Sequence, residues 1–413
     1  MDSVIFHIDV NSAYLSWTAL DQLSHGETID LREIPSIIGG DPQKRHGIVL
    51  AKSTLAKGYG IQTGEPIANA LKKCPSLVIA PPNHIMYQEY SRKLMEYLSN
   101  ICPDIEQVSI DECYMDFSSI SHLYSSPFEA AVKIKDSIFE KFHFTVNIGI
   151  SDRKVLAKMA SDFKKPNLVH TLFSYEIKEK MWPLSVDNLF MCGHSSVETL
   201  RKLEILTIGD LANADPHILI SHLKSHGKTL WEFANGIDSS KVMPITEKVK
   251  GIGNSTTVSK DLKTTEEAHI ILMTLAESVG RRLRGEKQLA GSVTCEIKYS
   301  TFQSVSHQTT LTSPTDSTTL IYETACFLFH ELWNGSPIRL LGIRTSKLCD
   351  ATAPTQLSLF DLTDASFGIS TACDTQDYHK KQKLEKLDKA LDHIKNKYGS
   401  NIVSRGSLLP TKK

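Results

Sequence analysis

The sequence predicts an α+β protein built from several domains. Its 413 residues exceed the length of one ordinary domain and indicate roughly three or four units. In the first half, short apolar runs typical of buried strands alternate with segments of helical periodicity. Beyond residue 250, the predicted order is strand, helix, strand, strand, helix, strand, which suits a small open sheet backed by two helices.

The composition is that of an ordinary globular protein, with 41% hydrophobic and 23% charged residues. No apolar run reaches membrane-spanning length, and the amino terminus lacks the pattern of a signal peptide. None of the eight cysteines forms a C-x-x-C pair, so neither a zinc site nor a disulfide framework is indicated. These features predict a cytoplasmic, reduced protein with no membrane partner. The net charge of −1 gives no sign of a nucleic-acid partner from the chain as a whole.

The first half alternates strands and helices in the manner of an α/β unit. A buried strand is predicted at residues 4–9, and a helix begins after it at Ser12 or Ala13. Further helices are predicted at residues 54–59, 84–102, 128–142 and 152–163, a strand at 144–149, and a hairpin from residues 105–110 and 113–117.

Two carboxylate sites stand out against this pattern. Asp9 ends the first predicted strand, and Asp111 and Glu112 lie near the tip of the predicted hairpin. An Asp-Glu pair is a poor choice for a tight turn, and a local rule broken in this way often marks function. Three carboxylates brought together would repel one another unless a cation lay between them, and hard oxygen ligands suit Mg²⁺. The pattern therefore predicts phosphoryl transfer with two metal ions.

Several residues of the first half have a simpler explanation than a catalytic role when each is taken singly. Asp9 suits a helix N-cap as well as it suits catalysis. A tyrosine such as Tyr14 is more often part of a core, and Lys165 suits a helix end. His7, on the first strand, is expected to be paired inside the core rather than to bind a metal. The order and type of the residues together favour the functional interpretation.

The second half contains a small helical unit and a sheet domain with basic residues. Residues 182–237 predict the helical unit, whose segment 192–200 resembles a helix-hairpin-helix entry, although ordinary helix packing is the simpler explanation. The next helix opens on a capping-box pattern at residues 264–267. The basic residues form two clusters, Arg281, Arg282, Arg284 and Lys287 in one and Arg339, Arg344 and Lys347 in the other. Each cluster is either a solvated surface or a phosphate-binding one.

The tail after Cys349 has a different composition. The polar stretch that begins it contains the segment Gln356, Leu357, Ser358, Leu359 and Phe360, whose leucine and phenylalanine side chains can anchor in an apolar pocket of a partner. Residues 378–398 predict a charged amphipathic helix with Leu384, Leu387, Leu391 and Ile394 on one face.

These motifs together resemble a Y-family translesion DNA polymerase of the bacterial polymerase IV type. Residues 109–112 match the family's catalytic S-I-D-E, and residues 7–11 with Tyr14 match its amino-terminal D-x-[DN]-x-x-[YF] motif. Residues 149–167 match the stretch that closes the palm, and residues 234–238 resemble the A-x-G-I-D that precedes the last domain. The resemblance covers residues 3–349 in order.

The resemblance implies a right-hand polymerase fold with an added DNA-gripping domain. The implied domains are a palm at 1–13 and 82–172, fingers at 14–81, a helix-hairpin-helix-like thumb at 173–238, a linker at 239–250, a little finger with a split βαββαβ sheet at 251–349, and a tail at 350–413. The implied protein is a monomeric, template-directed DNA polymerase of low fidelity that acts in translesion synthesis and DNA repair. Its implied partners are primer-template DNA and a dNTP.

The resemblance also implies a role for each residue of the catalytic site. Asp9 and Asp111 would hold two Mg²⁺ ions together with the carbonyl of Val10, and Glu112 would complete the site. Tyr14 would be the steric gate that excludes a ribose 2′-hydroxyl. These five residues carry the implied chemistry.

The implied nucleotide-binding residues include departures from the family pattern. Lys57 and Lys165 would contact the triphosphate as point charges, beside Thr54. Family members often have an aromatic residue at the position of Ser12, a tyrosine at Thr54 and an arginine at Lys57. Since lysine cannot reproduce the planar fork of arginine, triphosphate binding is expected to differ in detail while the metal site is kept.

The remaining implied contacts involve DNA and a partner protein. The arginines Arg281, Arg282, Arg284, Arg339 and Arg344 would contact DNA. Residues 356–360 resemble the pentapeptide that binds the bacterial sliding clamp, and the alternative is a piece of local core.

Two other classes of protein share part of this pattern. A nucleotidyl cyclase could use a two-metal palm, but it would not need a basic carboxy-terminal sheet or a clamp peptide. A catalytically weak, clamp-bound DNA-repair accessory protein could keep the DNA-binding parts, but it would be free to lose its carboxylates, and all three are present.

Overall fold

The computed structural model describes residues 3–40, 47–244, 249–352, 372–399 and 402–403. These residues form two compact units, the first up to residue 244 and the second from residue 249. No helix in these ranges is long and apolar enough to cross a membrane. Seven of the cysteines in these ranges, those from Cys74 to Cys349, are free thiols.

The first unit contains eight strands and eleven α-helices among the described residues. Its strands are β1 (Ile5–Val10), β2 (Ser36–Gly39), β3 (Val49–Lys52), β4 (Val78–Ala80), β5 (Ile105–Gln107), β6 (Glu112–Asp116), β7 (Val146–Ser151) and β8 (Val169–Thr171). Its helices are α1 (Ala13–Ser24), α2 (Thr54–Gly58), α3 (Ile67–Lys73), α4 (His84–Ile101), α5 (Pro127–Phe142), α6 (Lys154–Asp162), α7 (Ile177–Lys180), α8 (His194–Lys202), α9 (Ile208–Asn213), α10 (Pro216–Leu223) and α11 (Ser225–Ala234). The elements predicted for the first half are present within about two residues of their expected bounds, except that the first hairpin strand ends at Gln107, three residues before its predicted end.

A five-stranded sheet in the order β5-β6-β1-β7-β8 forms the centre of this unit. The middle strand, β1, pairs antiparallel with β6 on one side and with β7 on the other. Because successive side chains of a strand alternate between faces, Phe6 and Ile8 enter the main core while His7 lies on the opposite face. Helix α6 covers that opposite face, where Ser161 hydrogen-bonds to His7.

Gly149 permits the close approach of α6 to the sheet. A Cβ atom at this position would lie 2.0 Å from the carbonyl oxygen of Ala157 and 2.5 Å from the amide nitrogen of Ser161. Any side chain would therefore push α6 away from β7. The spacing between this helix and the sheet depends on that glycine.

A smaller three-stranded sheet, β3-β2-β4, lies in the segment predicted as fingers. Strand β2 pairs antiparallel with β3 and parallel with β4. Ile37, Val49, Ile61 and Ile67 form its core with helices α2 and α3. Helix α2 begins two residues after β3 ends, so the end of the strand and the start of the helix are adjacent.

Helices α7 to α11 form the predicted helical unit around a core of their own. At the entry to α8, Met191 adopts φ 66°, a left-handed conformation that favours glycine. The sequence pattern of a helix-hairpin-helix has glycine at this position, so the backbone keeps the conformation that the pattern requires even with methionine there. Gly193 then forms the N-cap of α8.

The second unit has the predicted order of strands and helices. Its elements are β9 (Gly251–Leu262), α12 (Thr265–Gly285), β10 (Gln288–Tyr299), β11 (Ser304–Thr315), α13 (Thr318–Leu332) and β12 (Ile338–Asp350). The sheet is antiparallel in the order β11-β10-β12-β9, and α12 and α13 pack on one face of it. The capping box predicted at the start of α12 is present between Thr264 and Glu267.

The carboxy-terminal helix, Ala372–Tyr398, packs on the second unit through charged residues. Asp392 pairs with Arg284 (2.5 Å), and Lys395 pairs with Glu277 (2.9 Å). Asp388 is only 2% exposed and accepts a hydrogen bond from the backbone N–H of Thr318 at the start of α13. Leu387 belongs to the apolar face predicted for this helix, but its side chain is 47% exposed. The contacts of the helix with the second unit described above are made by charged side chains and not by this leucine.

Candidate active site

The register of the central sheet brings two of the three predicted carboxylates, Asp9 and Glu112, together. Asp9 on β1 is directly opposite Glu112 on β6, on the face covered by α6. The backbone N–H of Val10 donates to the carbonyl of Asp111 (3.0 Å), which fixes the hairpin tip beside the end of β1. Asp9 belongs to the strand, and Ser12 occupies the N-cap of α1, so the N-cap alternative for Asp9 is excluded.

Two lysines, one on α6 and one just after it, contact these carboxylates. Lys158 Nζ lies 2.6 Å from Oε2 of Glu112 and 3.4 Å from Oδ2 of Asp9. Lys165 Nζ lies 3.0 Å from Oδ1 of Asp9 and 2.9 Å from Oδ1 of Asp162. Apart from the exposed Asp162, these groups are at least partly buried, so the ammonium groups offset a repulsion that water screens only weakly.

His7 lies beneath Glu112 and is 1% exposed. Its Nδ1 is 2.8 Å from the Ser161 hydroxyl, and its Nε2 is 3.4 Å from Oε2 of Glu112, a long contact for a hydrogen bond. This confirms that the histidine is paired within the core. Burial lowers the pKa of His7, so its neutral form is favoured.

The carboxylates of the hairpin differ in their electrostatics. The contacts from His7 and then from Lys158 lower the pKa of Glu112 to about 2 against the effect of burial. Burial raises the pKa of Asp111, and the nearby charges of Asp9 and Glu112 raise it further. This mutual repulsion is the behaviour of acidic groups that share one site, and a cation bound there would relieve it.

The oxygen ligands of Asp9, Asp111 and Glu112 suit divalent metal ions, but the three carboxylates do not point to one common position in this structure. Within the part of the chain that the structure describes, no group of three or more His, Cys, Asp or Glu residues is arranged to hold an ion. The reason is visible in their contacts, since Asp111 accepts from the Ser109 hydroxyl (2.7 Å) and Glu112 accepts from Lys158. Carboxylate and carbonyl oxygens remain the ligand types that Mg²⁺ prefers.

A buried amide network fixes the segment that carries Lys165. Asn147 accepts from the side chain of Asn11 and from the backbone N–H of Leu168. It donates to the carbonyl oxygens of Ser161 and Lys164. The network ties the residues on both sides of Lys165 to the central sheet, so the ammonium group is held beside Asp9.

Tyr14 lies on the first turn of α1 and is half-buried. Its ring stacks on Tyr87 with ring centroids 4.3 Å apart and planes 8° from parallel, and His84 meets it edge-on. Burial raises the pKa of Tyr14, with a further contribution from Asp111. The ring is therefore held in place by the two aromatic side chains that it contacts.

A cavity of about 520 Å³ adjoins the carboxylates. Its lining residues are Asn11, Ser12, Leu15, Ser16, Arg32, Lys52, Ser53, Thr54, Lys57, Thr63, Thr145, Lys165 and Pro166. The set includes the predicted residues Thr54, Lys57 and Lys165. Among the described residues, it contains four cationic side chains and no carboxylate, which suits an anionic ligand.

The five predicted DNA-contact arginines do not share one surface. Arg281 and Arg282 are exposed on α12, and Arg282 donates to the carbonyl of Gly253 (2.8 Å). Arg344 is exposed on β12 and alternates with buried residues that face the helices, so it lies on the open face of the sheet. Arg339, on the same strand, lies over the ring of Phe302 at 4.7 Å.

The surroundings of Arg284 favour a packing role over a DNA contact. Its side chain is 10% exposed and pairs with Asp388 (3.5 Å) and Asp392 (2.5 Å) of the carboxy-terminal helix. A guanidinium group engaged in this way has few donors left for a phosphate. The clamp-like segment at residues 356–360 lies outside the described residues.

Sequence reasoning assigned no role at the site to Lys158, Lys52 or the asparagine pair of the amide network. Lys158 is four residues before Asp162, so the two side chains lie on the same face of α6. The sequence does not show which carboxylates of the sheet Lys158 contacts, because that depends on the register of β1 with β6. Lys52 follows an apolar run and carries no motif of its own.

Comparison with known proteins agrees with this architecture. Residues 8–162 match the model of the impB/mucB/samB family, and residues 249–359 match the model of its C-terminal domain. A DNA polymerase IV from Clostridium acetobutylicum is 46% identical over 409 residues, covering 99% of both chains. A protein named DNA polymerase IV 1 from Bacillus subtilis is 35% identical over 98% of this chain and 93% of its own length. A solved Y-family DNA polymerase chimera covers 84% of this chain and 99% of its own, with TM-score 0.72 and 20% identity, and supports the fold.

The fold and these matches define a Y-family DNA polymerase. Within that class, the chain belongs to the impB/mucB/samB family and is of the DNA polymerase IV type.

Proposed function

We propose that this protein is a template-directed DNA polymerase of low fidelity that extends a primer 3′ end with dNTPs during translesion synthesis and DNA repair. The observation that carries the proposal is the pairing of Asp9 with Glu112 next to a cavity whose charged lining residues, among those that the structure describes, are all cationic. An acidic site beside an anion-binding cavity is what transfer of a nucleotidyl group from a triphosphate needs.

The residues of the site divide this chemistry among them. Asp9, Asp111, Glu112 and the carbonyl of Val10 would hold two Mg²⁺ ions. The bound ions would activate the primer hydroxyl and neutralise charge on the triphosphate. The protein itself positions these oxygens, since the hairpin tip is hydrogen-bonded to the end of β1.

The cavity is assigned to the dNTP. Lys57 and Lys165 would stabilise the negative charge that develops on the triphosphate, beside Thr54. The ring of Tyr14, fixed by its stack on Tyr87, would close the space that a ribose 2′-hydroxyl needs. The proposal therefore includes discrimination against ribonucleotides by shape.

The proposed macromolecular partners are primer-template DNA and the bacterial sliding clamp. Arg344 and Arg339 are proposed DNA contacts of the second unit, with Arg281 and Arg282 as contacts from its helix. Contacts of this kind go mainly to phosphates, so binding to DNA should weaken as salt is raised. Residues 356–360 are the proposed clamp-binding segment, and the protein is proposed to act as a monomer.

Primer extension tests the proposal directly. The wild type should add dNTPs to a primer on a DNA template when Mg²⁺ is present, and an Asp111→Ala, Glu112→Ala double variant should not. Product formation from ATP or GTP without primer would favour a cyclase. Clamp-dependent DNA binding without any incorporation by the wild type would favour an accessory protein.

A further inference from the structure

The cavity assigned to the dNTP is lined by four cationic side chains that differ in their ion pairing. Of its four cationic side chains, Arg32 pairs with Asp30 (2.7 Å), and Lys165 pairs with Asp9 as described. Neither Lys52 nor Lys57 has an ion pair within the described residues. As far as the described residues go, these two ammonium groups are therefore available to an anion that enters the cavity.

The position of Lys52 is fixed by the residue that follows it. The Ser53 hydroxyl accepts from the backbone N–H of Ser36 (3.1 Å) and of Ala56 (3.0 Å), and it donates to the carbonyl of Ile34 (2.8 Å). These three bonds join the end of β3 to β2 and to the first turn of α2. The backbone from which the Lys52 side chain projects is therefore rigid, which limits the entropy lost when an anion binds.

Lys52 and Lys57 line the same cavity, and their positive charges act on each other. Burial lowers the pKa of Lys52, and the charge of Lys57 lowers it further. The acid that most offsets this effect, Glu65, is engaged with Lys73 at 2.6 Å. Two lysines that line one cavity repel each other, and a polyanion relieves that repulsion.

We propose that Lys52 is a further triphosphate-binding residue that acts beside Lys57. Two ammonium groups from the segment of β3 and α2 would then bind the phosphates. The inference rests on the proposed function, since it assumes that the cavity holds the dNTP. A single lysine presents one point charge, whereas two lysines on adjacent elements can contact different phosphate oxygens. Lys52 is half-buried while Lys57 is exposed, so the contact from Lys52 is the less screened of the two.

Steady-state kinetics of primer extension test the role of Lys52. Lys52→Met keeps the length of the side chain and removes its charge, and Lys72→Met is the matched control, because Lys72 is exposed on α3 and does not line the cavity. Lys52→Met should raise KM about tenfold, as expected for the loss of one charge-assisted hydrogen bond. The increase should be the same for all four dNTPs, since the phosphates are common to them, and Lys72→Met should leave KM unchanged.

Inhibition by inorganic tripolyphosphate separates a phosphate contact from a contact to DNA. In the Lys52→Met variant, the inhibition constant of tripolyphosphate should rise by about the same factor as KM, and KM for the primer-template should stay constant. The thermal midpoint should be unchanged or higher, since a repulsion is removed and no ion pair is lost.

The outcomes that would overturn the inference are distinct from failure of the proposed function. An unchanged KM for dNTPs, an effect confined to one dNTP, or a raised KM for DNA with unchanged tripolyphosphate inhibition would each refute a triphosphate contact by Lys52. If the wild type itself incorporated no dNTP, the proposed function would fail instead. Partial recovery in Lys52→Arg would support the role of charge at this position.

Discussion

Lys158 neutralises two active-site carboxylates, so replacing it should make the stability of the first unit depend on divalent metal ions. In Lys158→Met, the pair formed by Asp9 and Glu112 loses the ammonium group that contacts both. A Mg²⁺ ion bound between the carboxylates would then supply the missing positive charge. The variant should be less stable than the wild type without the ion and should recover when the ion is added.

The size of the effect follows from the distances. At an effective dielectric constant of about 20, a pair 2.6 Å apart gains about 6 kcal/mol and a pair 3.4 Å apart about 5 kcal/mol before desolvation is counted. Desolvation offsets most of this, and breaking a buried ion pair costs about 3–5 kcal/mol. Since the three side chains are 12–22% exposed, we expect the lower value, about 3 kcal/mol. For a unit of this size that loss lowers the melting temperature by roughly 6–12 °C.

Thermal melts with and without Mg²⁺ measure this coupling. Lys154→Met is a close control, because Lys154 is also on α6 and has the same 12% exposure. Its Nζ atom lies 2.7 Å from Glu106, which is not one of the active-site carboxylates. Both variants should be destabilised without the ion. A few millimolar Mg²⁺ should raise the melting temperature of Lys158→Met by several degrees more than that of Lys154→Met or of the wild type.

Equal responses to Mg²⁺ in the wild type and both variants would refute this reasoning. They would mean that Lys158 and the ion do not compete for the same oxygens. A larger response in Lys154→Met would place the ion near Glu106 instead. The readout does not depend on catalysis, so it tests the metal site separately from polymerase activity.

Three further predictions concern the gate, the carboxy-terminal helix and the clamp-like segment. Tyr14→Ala should reduce the preference for dNTPs over rNTPs by about tenfold or more, measured as a ratio of kcat/KM values, and a variant that still rejects rNTPs would exclude Tyr14 as the gate. Asp388→Asn should weaken the pair with Arg284 and destabilise the second unit by about 2 kcal/mol in denaturant melts, and an unchanged midpoint would mean that the helix adds no stability. Replacing Leu359 and Phe360 with Ala should abolish clamp-stimulated synthesis while basal synthesis is kept, and full stimulation would contradict the assignment.

The sequence predicted those parts of the site that depend on local pattern. Strand β1 and the hairpin follow from apolar runs and from a charged pair at the turn, so Asp9, Asp111 and Glu112 could be named at once. The burial of Arg284 could not be predicted, because it depends on a helix about one hundred residues further along the chain. The contacts of Lys158 depend on how closely α6 approaches the sheet, and the structural effect of Gly149 becomes clear only when that packing is known.

The distribution of lysines around the site implies a division of labour. Among the described residues, the Lys158 ammonium group pairs with carboxylates, Lys52 and Lys57 line the cavity, and Lys165 does both, since it lines the cavity and also pairs with Asp9. An incoming polyanion would compete with Asp9 for Lys165 but could bind the two free lysines without breaking an ion pair. Initial capture should therefore depend on the free lysines, while exchange of the partner of Lys165 would release Asp9 to bind a metal ion. Nucleotide entry and completion of the metal site would then be coupled through one ammonium group.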